Sequence, residues 1–284
     1  MNREPCKTGG RDGAPTATRP CRDSCRIAVK TLGCRLNQAE EGAFVAGLRA
    51  AGCDVVPFAA PCDVLLVHSC VITRAAERES LRLLRNAGAG QGRRPLVVLS
   101  GCLAERLPRE ELRVHGVDLV VGRQQKPDLV RLVLEHRGLQ TAARTTKPTT
   151  PDFNGKRALL RVQDGCDENC AYCIVPQTRG APVSRSWREV FDEARALLRA
   201  GHRELVLTGC NLARYRDRRR GLPELVAALC ELEGLGRLRI GSLEPRTFEL
   251  ELAQMMAQGR PVAPFLHLPP QTGSDALLLA MGRR

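Results

Sequence analysis

The sequence predicts an α/β protein of two successive units, an N-terminal open parallel sheet and then a partial α/β barrel. Three observations carry this. Short apolar runs alternate with amphipathic stretches from Arg26 onward. The alternation breaks between Gly138 and Gly155 and then resumes. Cysteines recur just past the ends of the apolar runs. Strands that alternate with helices form parallel sheets with right-handed crossovers.

In the first unit, Arg26-Ile-Ala-Val-Lys-Thr-Leu32 reads as a strand. Asn37 to Ala51 reads as a helix, with Phe44, Val45 and Leu48 on one face and Gly52 beyond its end. Asp63–Val67 is a buried strand, followed by a helix from Arg74 to Arg85. Pro95–Leu99 and Asp118–Val121 are further strands, and a helix runs from Pro127 to about His136. The stretch 139–156, with its run Thr-Thr-Lys-Pro-Thr-Thr-Pro, has no periodicity and reads as a linker. Residues 1–25 are polar, lack an apolar signal-peptide core, and read as a disordered extension.

In the second unit, 157–284, Ala158–Val162 is a strand that runs straight into a cysteine-rich loop. Ser186-Trp-Arg-Glu189 is a capping box, in which each side chain satisfies the other residue's backbone donor. It opens a helix carrying Val190, Phe191, Ala194, Leu197 and Leu198 on one face. Strands are expected at Glu204–Thr208, Arg237–Ile240 and Pro264–Leu268, with helices at Leu222–Leu232 and Phe248–Gln258 and a final one capped by Ser274. Four β–α units suit an α/β barrel, whose loops after the strands carry the site.

That loop holds Cys166, Cys170 and Cys173 as C-x3-C-x2-C. Three thiolates on one short loop hold three corners of a [4Fe–4S] cube and leave its fourth iron open to a small molecule. Structural zinc wants four ligands, often as two C-x2-4-C pairs, and no fourth Cys or His lies in or close after the loop. A disulfide is disfavoured by the compartment. The chain lacks an apolar run of about 18 residues and a secretory leader, so the expectation is a cytoplasmic protein with reduced thiols and no membrane association.

A net charge of +13, nearly all of it from arginine, makes nucleic acid a plausible partner. A GC-rich genome would also inflate arginine, so charge leaves the question even. Aromatic content of 3% means that the cores rest on Leu, Val and Ala.

A second cysteine set sits at strand ends of the first unit: Thr-Leu-Gly-Cys34, His-Ser-Cys70 and Ser-Gly-Cys102. The carboxyl ends of parallel strands share one edge, so three cysteines distant in sequence should meet there. Gly33 and Gly101 would let the backbone approach a bulky group. Free cysteine is also a common packing residue, and Cys53, Cys62 and Cys230 read as that. Cys210 lies at a strand end with no role assigned, and Cys21 and Cys25 fall in the extension.

The chain resembles the radical S-adenosylmethionine (SAM) methylthiotransferases. The matching pieces are Thr31-Leu-Gly-Cys-Arg-Leu-Asn-Gln-Ala-Glu40, Ser69-Cys-Val-Ile-Thr73, Ser100-Gly-Cys-Leu-Ala-Glu105, Val117–Gly122, Gln163–Gly180 and His267-Leu-Pro-Pro-Gln-Thr-Gly-Ser274. Gly33-Cys-Arg-Leu-Asn37-x-x-Glu40 looks like the branch acting on N6-threonylcarbamoyladenosine beside the tRNA anticodon. The alternatives are the isopentenyladenosine branch, the branch that modifies a ribosomal protein, and a non-catalytic cluster-binding fragment.

The resemblance implies a methylthiotransferase domain over 26–138 and a radical SAM core over 157–284. It implies two [4Fe–4S] clusters, one on Cys34, Cys70 and Cys102 and one on Cys166, Cys170 and Cys173. The second cluster would bind SAM and reduce it to a deoxyadenosyl radical that takes hydrogen from adenine C2. The first would supply the sulfur, which a second SAM methylates. Tyr172, Thr208, Gly209, Ser242, Glu244 and Gln271 match positions lining the SAM pocket, and no catalytic residue is assigned beyond the cluster ligands. Arg179-Gly180 matches a motif with two competing roles, phosphate binding or fixing the loop. Expected partners are the tRNA anticodon stem-loop and a reductant protein such as flavodoxin or ferredoxin; the sulfur donor is not identified.

Family members go on to complete the barrel and add a TRAM domain, so the expectation is a C-terminally truncated chain with an incomplete barrel. Ser69 stands where Asn is usual in the family, and Pro270 where an aliphatic residue is usual.

Overall fold

The computed structural model describes residues 24–87, 93–139, 151, 153 and 156–283. The expected extension therefore lies outside the described residues except at its end, and the expected linker lies largely outside them. Cys25 does not belong with the extension: it is buried beside the first sheet, and its carbonyl accepts from Asp54 N at 3.0 Å.

The first half runs β1 (Arg26–Thr31), α1 (Arg35–Ala50), β2 (Asp54–Val56), β3 (Val64–Ser69), α2 (Arg74–Arg85), β4 (Leu96–Gly101), α3 (Cys102–Arg106), α4 (Arg109–Val114), β5 (Leu119–Val121) and α5 (Leu129–His136). The five strands are all parallel, in the order β2-β1-β3-β4-β5. Alternate residues face opposite layers. Ala28, Leu65, Val67, Val97 and Leu99 pack with Leu84, Leu103 and Leu112 on one face. Ile27, Val64, Leu66 and Val98 pack with Phe44, Leu48, Leu129 and Val133 on the other. Each of the Val, Leu, Ile and Phe side chains contributes about 1.5–3 kcal/mol on burial. The central strand β3 is buried at all six residues, as expected for a strand covered on both faces.

Strand β2 and helices α3 and α4 go beyond the sequence expectations. Strand β2 has three residues and α3 five, too short for a periodicity to show.

The second half runs β6 (Arg157–Arg161), β7 (Gln163–Asp164), α6 (Val175–Arg179), β8 (Val183–Ser184), α7 (Trp187–Arg199), β9 (Glu204–Thr208), α8 (Leu222–Cys230), β10 (Arg237–Ile240), α9 (Leu250–Ala257) and α10 (Asp275–Ala280). Strands β10-β9-β6 form a parallel sheet, and β7 pairs with β8 antiparallel. Ser186 and Glu189 form the expected capping box on α7, and Ser274 caps α10.

The fourth strand expected at Pro264–Leu268 is not formed. The chain runs beside β10 but is pinned there only by two parallel bridges, Leu238 to Val262 and Ser242 to His267. Pro261 and Pro264 lack the N–H that a continuous ladder needs. Among the described residues, no helix is long and apolar enough to cross a membrane.

The two halves touch through α1 against β6 and α3 against α6. Helices α3 and α6 each lie next to one of the cysteine sets.

Candidate metal centre

In the sheet order β2-β1-β3-β4-β5, the connections leaving β1 and β3 run to opposite sides of the sheet, so their carboxyl ends form a switch point, the place where open parallel sheets take ligands. Cys34 follows β1 as the N-cap of α1, Cys70 follows β3 directly, and Cys102 is the first residue of α3. Cys34 is exposed, while Cys70 and Cys102 are buried. Gly33 has φ +100°, and a Cβ there would lie 2.5 Å from the Cys70 Cβ and 2.6 Å from its sulfur. The turn before Cys34 thus rests on Cys70. Gly101, with φ +89°, lies against the backbone of Ser69, and its missing side chain brings the Cys102 turn alongside.

Polar side chains hold these turns. Asn37 Nδ2 donates to Leu32 O at 2.8 Å and to Ser69 O at 2.9 Å. It joins the turn before Cys34 to the residue before Cys70. Ser69 Oγ donates to Ser100 O at 2.6 Å and accepts from Leu103 N at 3.1 Å, which fixes the start of α3. Burial pushes the Cys70 thiol up, and the neighbouring Cys102 and Cys34 thiols push the same way.

In the second half, Gln163 is fully buried beneath the Cys166 loop. Its Nε2 donates to Asp164 O at 2.8 Å and Gly165 O at 2.6 Å, and its Oε1 accepts from Asn211 N at 2.8 Å. Gly165 turns with φ +73°. Cys166 N then bonds Gly180 O at 2.9 Å, and Cys173 N bonds Cys170 O at 3.0 Å. Glu168, inside the loop, takes Arg214 and Arg246, each at 2.9 Å. Burial pushes the Cys166 thiol up, with Cys173 adding to it. All three thiols are partly buried.

Of the residues expected to line a SAM pocket, Tyr172 is in this loop, Gly209 packs on its floor, and Glu244 is tied to Tyr172. Gly209 packs on Gln163, where a Cβ would lie 2.9 Å from Oε1. Thr208 ends β9, and its carbonyl accepts from Val162 N at 3.0 Å. Glu244 and Tyr172 are joined by Arg283, which reaches Glu244 Oε2 at 2.5 Å and the Tyr172 hydroxyl at 2.9 Å. Tyr172 itself is exposed. Ser242 lies at the bridge to His267. Gln271 has φ +69°, left-handed for a non-glycine, and among the described residues no hydrogen bond joins it to the others.

Sequence reasoning missed Asn37, Glu40 and Asp164 as parts of the site. Asn37 and Glu40 stand in the Gly33–Glu40 motif but were given no role there; as polar residues on the buried face of α1 they carry a second signal. Of the two roles open for Arg179, the structure favours fixing the loop: the residue is buried and bonded to Asp164, Asn37 and Glu40. Cys210 places its sulfur 3.4 Å from Asp164 Oδ1.

Among the described residues, no three Cys, His, Asp or Glu side chains converge on one point as ligands of a single ion would. Thiols serving the corners of a cube stay apart around it, and soft sulfur donors in threes suit iron–sulfur chemistry. The donor sets fit such clusters in number and kind.

Residues 26–122 match the model described as "Uncharacterized protein family UPF0004", and residues 160–284 match the Radical SAM superfamily. The tRNA-2-methylthio-N(6)-dimethylallyladenosine synthase of Cereibacter sphaeroides is 35% identical over 274 residues. Together, the two domain matches and this relative support a radical SAM methylthiotransferase family for the chain.

The match to that methylthiotransferase covers 92% of this chain and 63% of the relative, so the chain spans less than two thirds of its length. Among solved structures, the radical SAM methyltransferase TsrM from Kitasatospora setae is similar, with TM-score 0.60 and 13% identity. The alignment covers 90% of this chain and 61% of TsrM. The cobalamin-dependent radical enzyme OxsB aligns with TM-score 0.60 and 12% identity over 92% of this chain and 46% of its own. At these identities the likeness is one of fold alone.

Proposed function

We propose that this chain carries the cluster-binding and radical-generating parts of a tRNA methylthiotransferase, divided into 26–138 and 157–284. The observation that carries the reading is the pairing in one chain of two three-cysteine sets, one at the ends of strands of the first sheet and one on the single loop after β7. Cys166, Cys170 and Cys173 would hold the cluster that binds SAM, and Cys34, Cys70 and Cys102 a second one. Bound there, the clusters would supply the electron for SAM cleavage and the sulfur for transfer.

The chain's own residues bind and orient. Thr208, Gly209, Ser242, Glu244 and Gln271 would line the SAM site, with Tyr172 at its rim. Gln163 would hold the loop floor. Arginines making up much of the +13 charge would meet tRNA phosphates. A small reductant protein of the flavodoxin or ferredoxin class would deliver the electron, and a tRNA substrate would place the reaction in the cytoplasm.

Two observations bear on the substrate. The Gly33-Cys-Arg-Leu-Asn37 motif supports N6-threonylcarbamoyladenosine in the anticodon loop. The Cereibacter relative is named for the dimethylallyl nucleoside, which supports the second reading. Mass spectrometry of tRNA nucleosides from a strain lacking the gene separates them: the methylthio form that disappears names the branch. Intact tRNA methylthiolation in that strain rejects the proposal. Reconstituted without oxygen, the chain should hold about eight irons.

A further inference from the structure

One guanidinium spans the two cysteine-bearing regions. Arg179 lies on α6 with 4% of its side chain exposed. Its Nη1 donates to Asp164 Oδ1 at 2.8 Å, and the same oxygen accepts from Gly165 N at 2.8 Å, one residue before Cys166. Its Nη2 donates to Asn37 Oδ1 and, at 3.2 Å, to Glu40 Oε2. Asn37 in turn holds Leu32 O and Ser69 O, next to the turns of Cys34 and Cys70. Three side chains therefore connect both cysteine sets.

Glu40 seals this junction. Its side chain is 2% exposed, and both oxygens are occupied. Oε1 takes Lys126 at 2.9 Å and Arg161 at 3.4 Å, while Oε2 takes His68 Nε2 at 2.9 Å beside Arg179. A carboxylate only accepts, so the His68 Nε2 carries the proton. These contacts come from both halves of the chain.

A buried ion network is a weak source of net stability compared with apolar packing. What it imposes is geometry. Sliding one half against the other would leave a buried charge unpaired. The guanidinium is a rigid planar fork that serves two sides at once, which a lysine ammonium on a flexible stem does not.

We infer that Arg179 is a positioning residue: seated on Asn37 and Glu40 of the first half and on Asp164 of the second, it fixes the separation of the two cysteine sets. Sulfur delivery and hydrogen abstraction then meet at one substrate position. The geometric part stands on the contacts alone, and its consequence for transfer rests on the methylthiotransferase reading.

The test uses the full chain. Spin labels are introduced as unnatural amino acids at Val114 and Val183, exposed positions in the two halves. The apo-protein should show one narrow distance distribution. Arg179→Lys should broaden it at least twofold. Asp164→Ala should do the same and serves if Arg179→Lys fails to fold. Asp164→Asn, which keeps an acceptor oxygen, should restore the narrow distribution. An unchanged width in the variants, or equal broadening by Asp164→Asn and Asp164→Ala, overturns the inference.

With reconstituted protein, SAM, dithionite and tRNA, Arg179→Lys should keep its iron. It should form at least tenfold more 5′-deoxyadenosine per methylthio group transferred. A constant ratio, with both products falling together, marks a merely structural role and also overturns it. If the unmodified chain transfers no methylthio group, the functional reading fails, and the distance measurement alone decides whether Arg179 positions the halves.

Discussion

A Cβ on Gly33 would lie 2.6 Å from the sulfur of Cys70. The two residues follow the carboxyl ends of neighbouring strands β1 and β3, which pair through Thr31 and His68. The glycine also adopts φ +100°, a region costly for any L side chain. Gly33→Ala should therefore push the Cys34 turn off Cys70. Strain of this kind costs about 1–3 kcal/mol. Iron per chain should fall to about half, while SAM binding in the second half persists. Urea unfolding of the apo-protein and iron analysis check both; full iron in Gly33→Ala would refute a cluster on this set.

Gln163 makes the matching prediction for the second half. Gln163→Leu keeps the volume but removes the acceptor of Asn211 N and two donors to the loop carbonyls. A buried, unpaired donor costs about 1–3 kcal/mol. The Cys166 loop should lose its cluster and its SAM affinity, and the first half should keep its iron. Equilibrium dialysis with labelled SAM reads the loss.

Glu40 sets an acid limit on the junction of the halves. Burial alone would raise its carboxyl, but the hydrogen bond from His68 and the charges of Arg179 and Lys126 outweigh burial and hold it well below the ordinary 4.5. A carboxyl lowered in the folded state stabilises that state fully above its unfolded value, and the contribution drains away as the pH falls toward the folded value. Apo-protein stability should thus drop below pH 4.5, and Glu40→Gln should flatten this part of the curve. Urea midpoints between pH 3 and 7 measure it; the same slope in both proteins would show that Glu40 does not titrate there.

Ser186 offers a control away from the clusters. Its side chain accepts from Glu189 N at 3.3 Å, and its own N–H donates to Glu189 Oε2 at 3.0 Å. Ser186→Ala should cost about 1 kcal/mol and leave iron content unchanged. A loss of iron would mean that the barrel loop depends on general stability of the second half and would weaken the reading of Gln163→Leu.

Much of the architecture was legible because periodicity is local. The strand at Glu204–Thr208, the strand at Arg237–Ile240 and the helix from Arg74 to Arg85 are found where their patterns put them. The strand expected at Pro264–Leu268 failed because two prolines outweigh its apolar content, leaving bridges in place of a ladder. The short pieces β2 and α3 carry too few residues to show a period.

The cysteine sets were legible for another reason: spacing within Cys166–Cys173 is a property of the chain itself, and Cys34, Cys70 and Cys102 each mark a strand end. Their neighbourhood followed once the strands were taken as parallel, because parallel strands end on one edge. The sequence by itself determined the α/β class and put Cys34, Cys70 and Cys102 at strand ends and Cys166, Cys170 and Cys173 on one loop. Only the tertiary structure decided the strand order, with its switch point between β1 and β3, and the partners of Arg179. Asn37 and Asp164 lie 142 and 15 residues away from it along the chain. No local pattern links such positions, because the contact exists only when two halves that fold on their own periodicities are brought together around a shared buried charge.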